Sequence, residues 1–301
     1  MKISLVDVDG HNFPNLALMK ISAWHKQQGN IVDWYEPLFS RPEKIYASKV
    51  FTFTPDYKEY APCDPEPVKG GTGYRIYQNL PDEIDSMLPD YSIYPEYSFA
   101  VGFLSRGCIR NCPWCVVPKK EGDLRKYDDI ERISQGRKHI ILMDNNFLAN
   151  DFEFVKEQLE KAQRNSFSID FNQGLDARLV DDKNASLLAK CKYFTISGNN
   201  KYIRFSCDTA AMIEPLKNAV KTLQKQGYNG KFFVYVLAKD MEESLERIKK
   251  ICEIDNKIKP FCQPFRNLDG SGLITDKRLS RLARWCNMEA IRKTVKFEDY
   301  K

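Results

Sequence analysis

Histidine is scarce in this chain of 301 residues: His11, His25 and His139 are the only three, and no two are close enough in sequence to form a local metal motif. Long apolar runs are missing as well. No stretch approaches the ~18 consecutive apolar residues that a membrane-spanning helix needs. The N-terminus, MKISLVDVDG, carries acids where a secretory signal needs an unbroken apolar core. These absences argue against a secreted or membrane-spanning protein and set the expectation of a cytoplasmic one. There is no low-complexity segment, and no large excess of one charge: 46 basic residues face 41 acidic ones, a net of +5. With 43% apolar and 29% charged residues the composition is that of a globular protein rather than a disordered one.

The length suits one large or two medium domains. From Arg266 to the end nine Lys and Arg stand against five Asp and Glu, whereas the first 75 residues balance at nine and nine. The tail therefore holds most of the basic excess, either as a solvated helix face or as a contact for something anionic. Near the N-terminus, residues 2–8 read as a strand. An apolar helical pattern follows through Leu16, Met19, Ile21, Ala23 and Trp24, with Gly29 as a stop. Ile31–Tyr35 and Lys49–Thr54 read as further strands, giving a βαβ-type unit over residues 1–75. Residues 61–73 hold three prolines and three glycines and read as a linker, and residues 76–97 as an irregular, tyrosine-packed connection.

From residue 98 the chain alternates again. Strands are expected at Phe99–Leu104, His139–Met143, Ser168–Asn172, Tyr202–Ser206, Lys231–Leu237 and Pro260–Gln263. Helical patterns at Phe152–Arg164, Ala185–Lys190, Ile213–Gln226 and Met241–Ile254 separate most of them. Six such repeats over residues 98–265 imply an α/β fold with a parallel sheet curved into a full or partial barrel, whose working residues sit at the C-terminal strand ends. Residues 266–301 form a tail whose Leu279, Leu282, Ala283, Trp285 and Cys286 mark one face of a helix, expected to pack over the open side of the barrel.

Nine cysteines are many for a cytosolic chain. Six are scattered singly (Cys63, Cys191, Cys207, Cys252, Cys262 and Cys286), and small buried hydrophobes is the default reading for them. The other three, Cys108, Cys112 and Cys115, have the spacing Cys-x-x-x-Cys-x-x-Cys directly after the first barrel strand. Thiolates are soft ligands for zinc or iron–sulfur clusters. A structural zinc site closes with four protein ligands, so three suggest a cluster with one metal position left open.

This spacing, in the segment GFLSRGCIRNCPWCVVPKKEG, resembles the radical SAM superfamily, with the aromatic Trp114 before the last cysteine. The resemblance runs over roughly residues 98–265. It implies a partial (β/α)6 TIM-type barrel in which Cys108, Cys112 and Cys115 hold a 4Fe–4S cluster. S-adenosylmethionine then chelates the fourth iron and is reductively cleaved to a 5′-deoxyadenosyl radical, and a flavodoxin or ferredoxin-type reductant supplies the electron. It also implies that Trp114 shapes the adenine side and that Asp144, Asn145 or Asn146, in ILMDNNFLAN, receives the cofactor's ammonium. FNQGLDARL places Gln173, Asp176 and Arg178 near the barrel mouth. YIRFSCDTAAMIEPL sets Ser206, Cys207, Asp208 and Thr209 where the family has Gly-x-Glu-Ser, with Asp208 on the ribose hydroxyls. Other readings stand beside these. Asp144 and Asp208 are also natural helix caps, and Arg178 and Arg204 natural partners of a neighbouring acid.

A Rossmann-like domain ahead of the barrel resembles the cobalamin-binding branch of the superfamily. Asp9, His11 and Pro14 give Asp-x-His-x-x-Pro where that branch has Asp-x-His-x-x-Gly, so that His11 is the candidate cobalt ligand and Asp9 its orienting partner. The later Ser-x-Leu and Gly-Gly signals are missing at the expected distance, which counts against cobalamin. Two further readings are a cobalamin-dependent radical SAM methyltransferase and a non-catalytic zinc or iron–sulfur module. The substrate is unassigned; the basic tail favours an anionic small molecule or RNA, the latter through Arg278, Arg281 and Arg284.

Overall fold

The computed structural model describes residues 1–196, 201–267, 273–274 and 276–300. It is a mixed α/β structure with parallel sheets, and the chain divides into two compact units. The first comprises Met1–Ser98, Pro113–Lys120 and the described ends of Asn267–Leu273. The second comprises Phe99–Cys112, Glu121–Arg266 and Ile274–Lys301. Residues 76–97, expected to link two domains, thus fall inside the first unit. The tail from Ile274 falls inside the second.

The first unit is a four-stranded parallel sheet. Its strands are β1 (Lys2–Asp7), β2 (Ile31–Trp34), β3 (Lys44–Ser48) and β4 (Val68–Gly70), in the order β2-β1-β3-β4. Four successive residues of β1, Ile3 to Val6, are buried, the near-continuous pattern of a strand covered on both faces. Helix α1 (Leu16–Gln27) begins where the Asn15 side chain accepts from Leu18 N, and Asn15 Nδ2 also reaches Ser48 Oγ at 3.0 Å, tying the helix start to the end of β3. Short helices α2 (Asp82–Asp85) and α3 (Val117–Lys120) complete this unit. The segment that contains α2 packs by its aromatics, as expected: Tyr91 and Tyr94 are buried, and Tyr94 OH donates to Asp7 Oδ2 at 2.6 Å.

Two expectations need correction here. The third strand is Lys44–Ser48, not Lys49–Thr54. In KVFTFT the aromatic alternation belongs to a loop: Phe51 and Phe53 are exposed and stack on each other at 5.2 Å, while the true strand buries Ile45, Tyr46 and Ala47. The Pro/Gly-rich linker also yields an edge strand, β4. Its end needs glycine: Gly71 has φ +93°, and a Cβ there would stand 2.4 Å from Lys49 O.

The second unit follows the expected strand–helix rhythm closely. Strands β5 (Phe99–Gly102), β8 (His139–Leu142), β9 (Ser168–Phe171) and β10 (Lys192–Tyr193) pair in parallel in that order. Strands β11 (Tyr202–Ser206), β12 (Lys231–Ala238) and β13 (Ile258–Pro264) form a second parallel sheet. A parallel bridge between Leu175 and Phe205 relates the two sheets. A short antiparallel pair, β6 (Ser105–Arg106) with β7 (Arg125–Lys126), sits after β5. The helices are α4 (Ile130–Ser134), α5 (Phe152–Arg164), α6 (Asp182–Lys190), α7 (Ile213–Lys225), α8 (Met241–Ile254), α9 (Arg278–Asn287) and α10 (Glu289–Thr294). Their starts are written locally: Asp151, Asp181 and Asp240 cap α5, α6 and α8 through side-chain acceptance from the first turn. Helix α9 buries the five residues anticipated for it and lies on β13, where Asn287 brackets Cys262 by accepting its N–H and donating to its carbonyl.

No helix among the described residues is long and apolar enough to cross a membrane.

Candidate functional site

The cysteine loop leaves β5 and is closed at its base by the β6–β7 pair, with Arg106 and Glu121 joined as a largely buried bidentate pair at 2.8 and 2.9 Å. Gly107 turns the chain at φ +84°, and a Cβ there would meet Asp123 O at 2.2 Å. Cys108, Cys112 and Cys115 are each half-buried. Cys108 and Cys112 belong to the second unit and Cys115 to the segment Pro113–Lys120 of the first, which also carries the half-buried Trp114. Among the described residues no three His, Cys, Asp or Glu side chains are gathered so as to hold a metal ion.

The end of β8 holds this loop in place. Asp144 is buried; its Oδ2 accepts from Leu104 N at 3.0 Å, and its Oδ1 from Ser105 N and Ser105 Oγ at 2.6 and 2.7 Å. Burial pushes its carboxyl up to about 6 against the pull of those hydrogen bonds. Asn145 Oδ1 accepts from Gly107 N at 2.9 Å. Asn146 Nδ2 donates to Cys108 Sγ at 3.4 Å, and that sulfur also accepts from Arg110 N at 3.3 Å. Asn146 is itself buried, and its Oδ1 has no hydrogen-bond partner. The helix-cap alternative for Asp144 does not hold, because α5 is capped by Asp151.

The next strand end supplies Asp176, buried and gripped by two arginines. Arg178 binds it twice, at 2.7 and 2.9 Å, and Arg110 Nε reaches it at 3.1 Å. Desolvation pushes its carboxyl up, yet the arginines win and it lies below the usual range. Arg178 in turn lies in electrostatic reach of the Cys108 and Cys112 thiols. Burial pushes the Cys112 thiol up, and Arg178 pulls it down. Gln173 is exposed, with Nε2 4.0 Å from Met143 Sδ.

At the end of β11, Ser206 is half-buried and Asp208 Oδ1 accepts from Leu237 N at 3.1 Å, so this acid spans two strand ends instead of capping a helix. Oδ2 makes no hydrogen bond among the described residues. Burial raises its carboxyl above the ordinary range, with Arg247 and Arg178 opposing.

One element of this region was not anticipated. Arg247 of α8 is buried, donates to Leu237 O at 2.9 Å and to Cys207 O, and binds Glu243 at 2.8 and 2.9 Å. It thereby fastens the ends of β11 and β12 beneath Asp208. Asp170 and Arg204 form a buried pair at 2.7 Å, and Arg204 continues to Tyr235 OH at 3.3 Å, which donates to Asn172 O at 2.8 Å. Arg247 sits at a helical position whose neighbours are also charged, so its burial leaves no trace in the pattern. Arg204 and Arg178 both take the neighbouring-acid role.

In the first unit, His11 is exposed and its ring lies 4.1 Å from Trp34. Asp9 does not orient it: its carboxylate takes Val50 N at 2.5 Å and Thr54 Oγ1 at 2.6 Å. This pair does not fit cobalamin ligation, since the acid meant to fix the imidazole is committed to another loop. In the tail, Arg278 is engaged with Asp276 and Glu242, and Arg281 with the Phe297 and Tyr300 carbonyls, while Arg284 is exposed. Compared with known families and with curated proteins, the chain matches no family model and no curated protein.

Proposed function

We propose that the chain is a radical SAM enzyme: a Rossmann-like N-terminal domain followed by a partial (β/α)6 barrel, with Cys108, Cys112 and Cys115 holding a 4Fe–4S cluster. The observation that carries this reading is the convergence, after successive parallel strands, of a soft-donor loop with polar groups suited to an amino acid and a ribose. What supports it is the donor type: two half-buried thiols, Cys108 and Cys112, lie in electrostatic reach of each other and of the Arg178 guanidinium, which opposes the upward push of burial on Cys112. When bound, the cluster and S-adenosylmethionine supply reductive cleavage of the sulfonium and hydrogen-atom removal from a substrate.

The chain's own residues divide the remaining work. Of the three acceptors at the end of β8, Asp144 and Asn145 are spent on backbone amides, so Asn146, whose buried Oδ1 is orphaned, is the residue that receives the ammonium. Asp208 offers its second oxygen to the ribose hydroxyls, while its first is held by Leu237 N and its backbone by Arg247. Arg110 and Arg178 share one carboxylate, leaving net positive charge beside the thiols for a carboxylate of cofactor or substrate. Trp114 borders the adenine, and Gln173 and Ser206 line the mouth. The enzyme is cytoplasmic and takes its electron from a flavodoxin or ferredoxin-type protein. Its substrate is an anionic small molecule or RNA.

The test is S-adenosylmethionine turnover by anaerobically reconstituted protein under reductant. The reading expects 5′-deoxyadenosine from the wild type and at least a tenfold loss in Asp208→Ala with the cluster retained. Reconstituted, reduced protein that neither binds nor cleaves S-adenosylmethionine contradicts it.

A further inference from the structure

The sheet β11-β12-β13 has two unlike faces. Ile203, Phe205, Phe232, Val234, Val236 and Cys262 lie on one, all buried, on the side that α8 and α9 cover. The register puts Arg204, Phe233, Tyr235, Phe261 and Gln263 on the other. Parallel strands are ordinarily covered on both faces, yet here Tyr235 and Phe261 stay half-buried and Gln263 is exposed.

Tyr235 and Phe261 stand opposite each other on neighbouring strands, with ring centroids 6.1 Å apart and planes at 89°. Such a corner offers a ring face and a ring edge, the approaches that a further planar ring favours. The corner is held in shape. Phe233 backs it 5.4 Å from Phe261, the Arg204 guanidinium covers Phe233 at 4.7 Å, and Tyr235 OH donates to Asn172 O at 2.8 Å. Beyond Phe261 on the same face, the Gln263 amide can both donate and accept, as the edge of a heterocycle requires.

We propose that this face is a substrate subsite that stacks one nucleobase against Phe261 and Tyr235 and reads its edge through Gln263. This rests on the reading above and narrows its substrate to a free mononucleotide. A single-stranded RNA needs successive stacking rings along its path, and the other aromatics of this sheet face, Tyr202 and Phe233, are buried.

The test is a ligand-observed NMR titration of the full chain, without metal or S-adenosylmethionine. The probes are AMP, GMP, CMP and UMP, with L-tryptophan and a single-stranded RNA oligonucleotide as rivals. Saturable binding of at least one nucleotide is expected below about 1 mM, with its base protons contacted more closely than its ribose. Phe261→Leu is expected to weaken binding at least about fivefold at an unchanged unfolding temperature. Gln263→Ala, at an exposed position, is expected to keep the fold and to reduce discrimination among the bases about threefold or more; it decides the matter if Phe261→Leu unfolds. Absence of nucleotide binding, equal binding of L-tryptophan, RNA binding more than about tenfold tighter, or undiminished binding in folded Phe261→Leu overturns the proposal. So does displacement by S-adenosylmethionine on reconstituted protein, which gives the site to the cofactor. A chain that cleaves S-adenosylmethionine but binds no nucleotide overturns the subsite alone. One that binds nucleotide but takes up no cluster overturns the radical SAM reading and leaves the subsite standing.

Discussion

Two sets of cysteines in the second unit meet opposite surroundings. Cys108 and Cys112 lie half-buried on a loop, facing Arg178 and, for Cys108, two N–H donors. Cys252, Cys262 and Cys286 come together from α8, β13 and α9 into a seam, where Cys286 and Cys262 interact and Cys252 and Cys286 share Arg292. Burial raises the Cys262 and Cys286 thiols to about 12. Cys286 Sγ donates to the Pro260 carbonyl. One set is half-exposed on a loop beside an arginine; in the other, Cys262 and Cys286 are buried as small hydrophobes. Proximity of sulfur atoms alone therefore does not mark a soft-metal site. What separates the loop pair from Cys262 and Cys286 is exposure and, at Cys108, two N–H donors.

The sharpest way to break this comparison is competitive alkylation of the metal-free, reduced protein at pH 8. Cys108 and Cys112, with the exposed Cys63, are expected to react at least about a hundredfold faster than Cys262 and Cys286, because reaction needs both access and thiolate. Equal rates read by peptide mass spectrometry contradict it. A smaller effect separates the sets by stability. Cys286→Ser places a hydroxyl at a fully buried position and is expected to cost about 1–2 kcal/mol in chemical denaturation. Cys112→Ser on the loop is expected to change stability by less than about 0.5 kcal/mol.

A pH-dependent effect concerns the clamp beneath the loop. The Asp144 carboxyl is raised to about 6 by burial from 3.8, so between those values the folded state keeps a proton that the unfolded state releases. Its contribution to stability is full below about pH 4 and is lost as the pH rises through about 6. Asp144→Asn is expected to remove this decline, roughly 2 kcal/mol, from the difference in stability between pH 4 and pH 7. An unchanged difference contradicts the assigned burial effect.

The seam was invisible in the sequence, where Cys262 and Cys286 read as isolated, because it is made by three elements that only packing brings together. The strand–helix rhythm of the second unit was legible, since parallel strands such as Lys231–Ala238 are continuous apolar runs and helices such as Phe152–Arg164 announce themselves by cap and period. The first unit misled at Lys49–Thr54 because exposed, stacked phenylalanines imitate a strand. At the site, the sequence showed that the cysteine loop and the polar segments follow successive strands, β5, β8, β9 and β11. It did not show the partners of the polar residues: Asp144 faces backbone amides, Asp176 two arginines, and Arg247 two carbonyls from another strand pair. Those are long-range choices made by burial, which must satisfy each polar atom and leaves no periodic mark.

The central claim is that the loop cysteines, and not the seam cysteines, hold an iron–sulfur cluster. It is tested most directly by iron content and visible absorbance after anaerobic reconstitution of the wild type, the Cys108→Ala/Cys112→Ala/Cys115→Ala variant and the Cys252→Ala/Cys262→Ala/Cys286→Ala variant. The account expects about four irons per chain in the wild type and the seam variant, and a colourless, iron-free loop variant. A loop variant that keeps its iron and absorbance contradicts it.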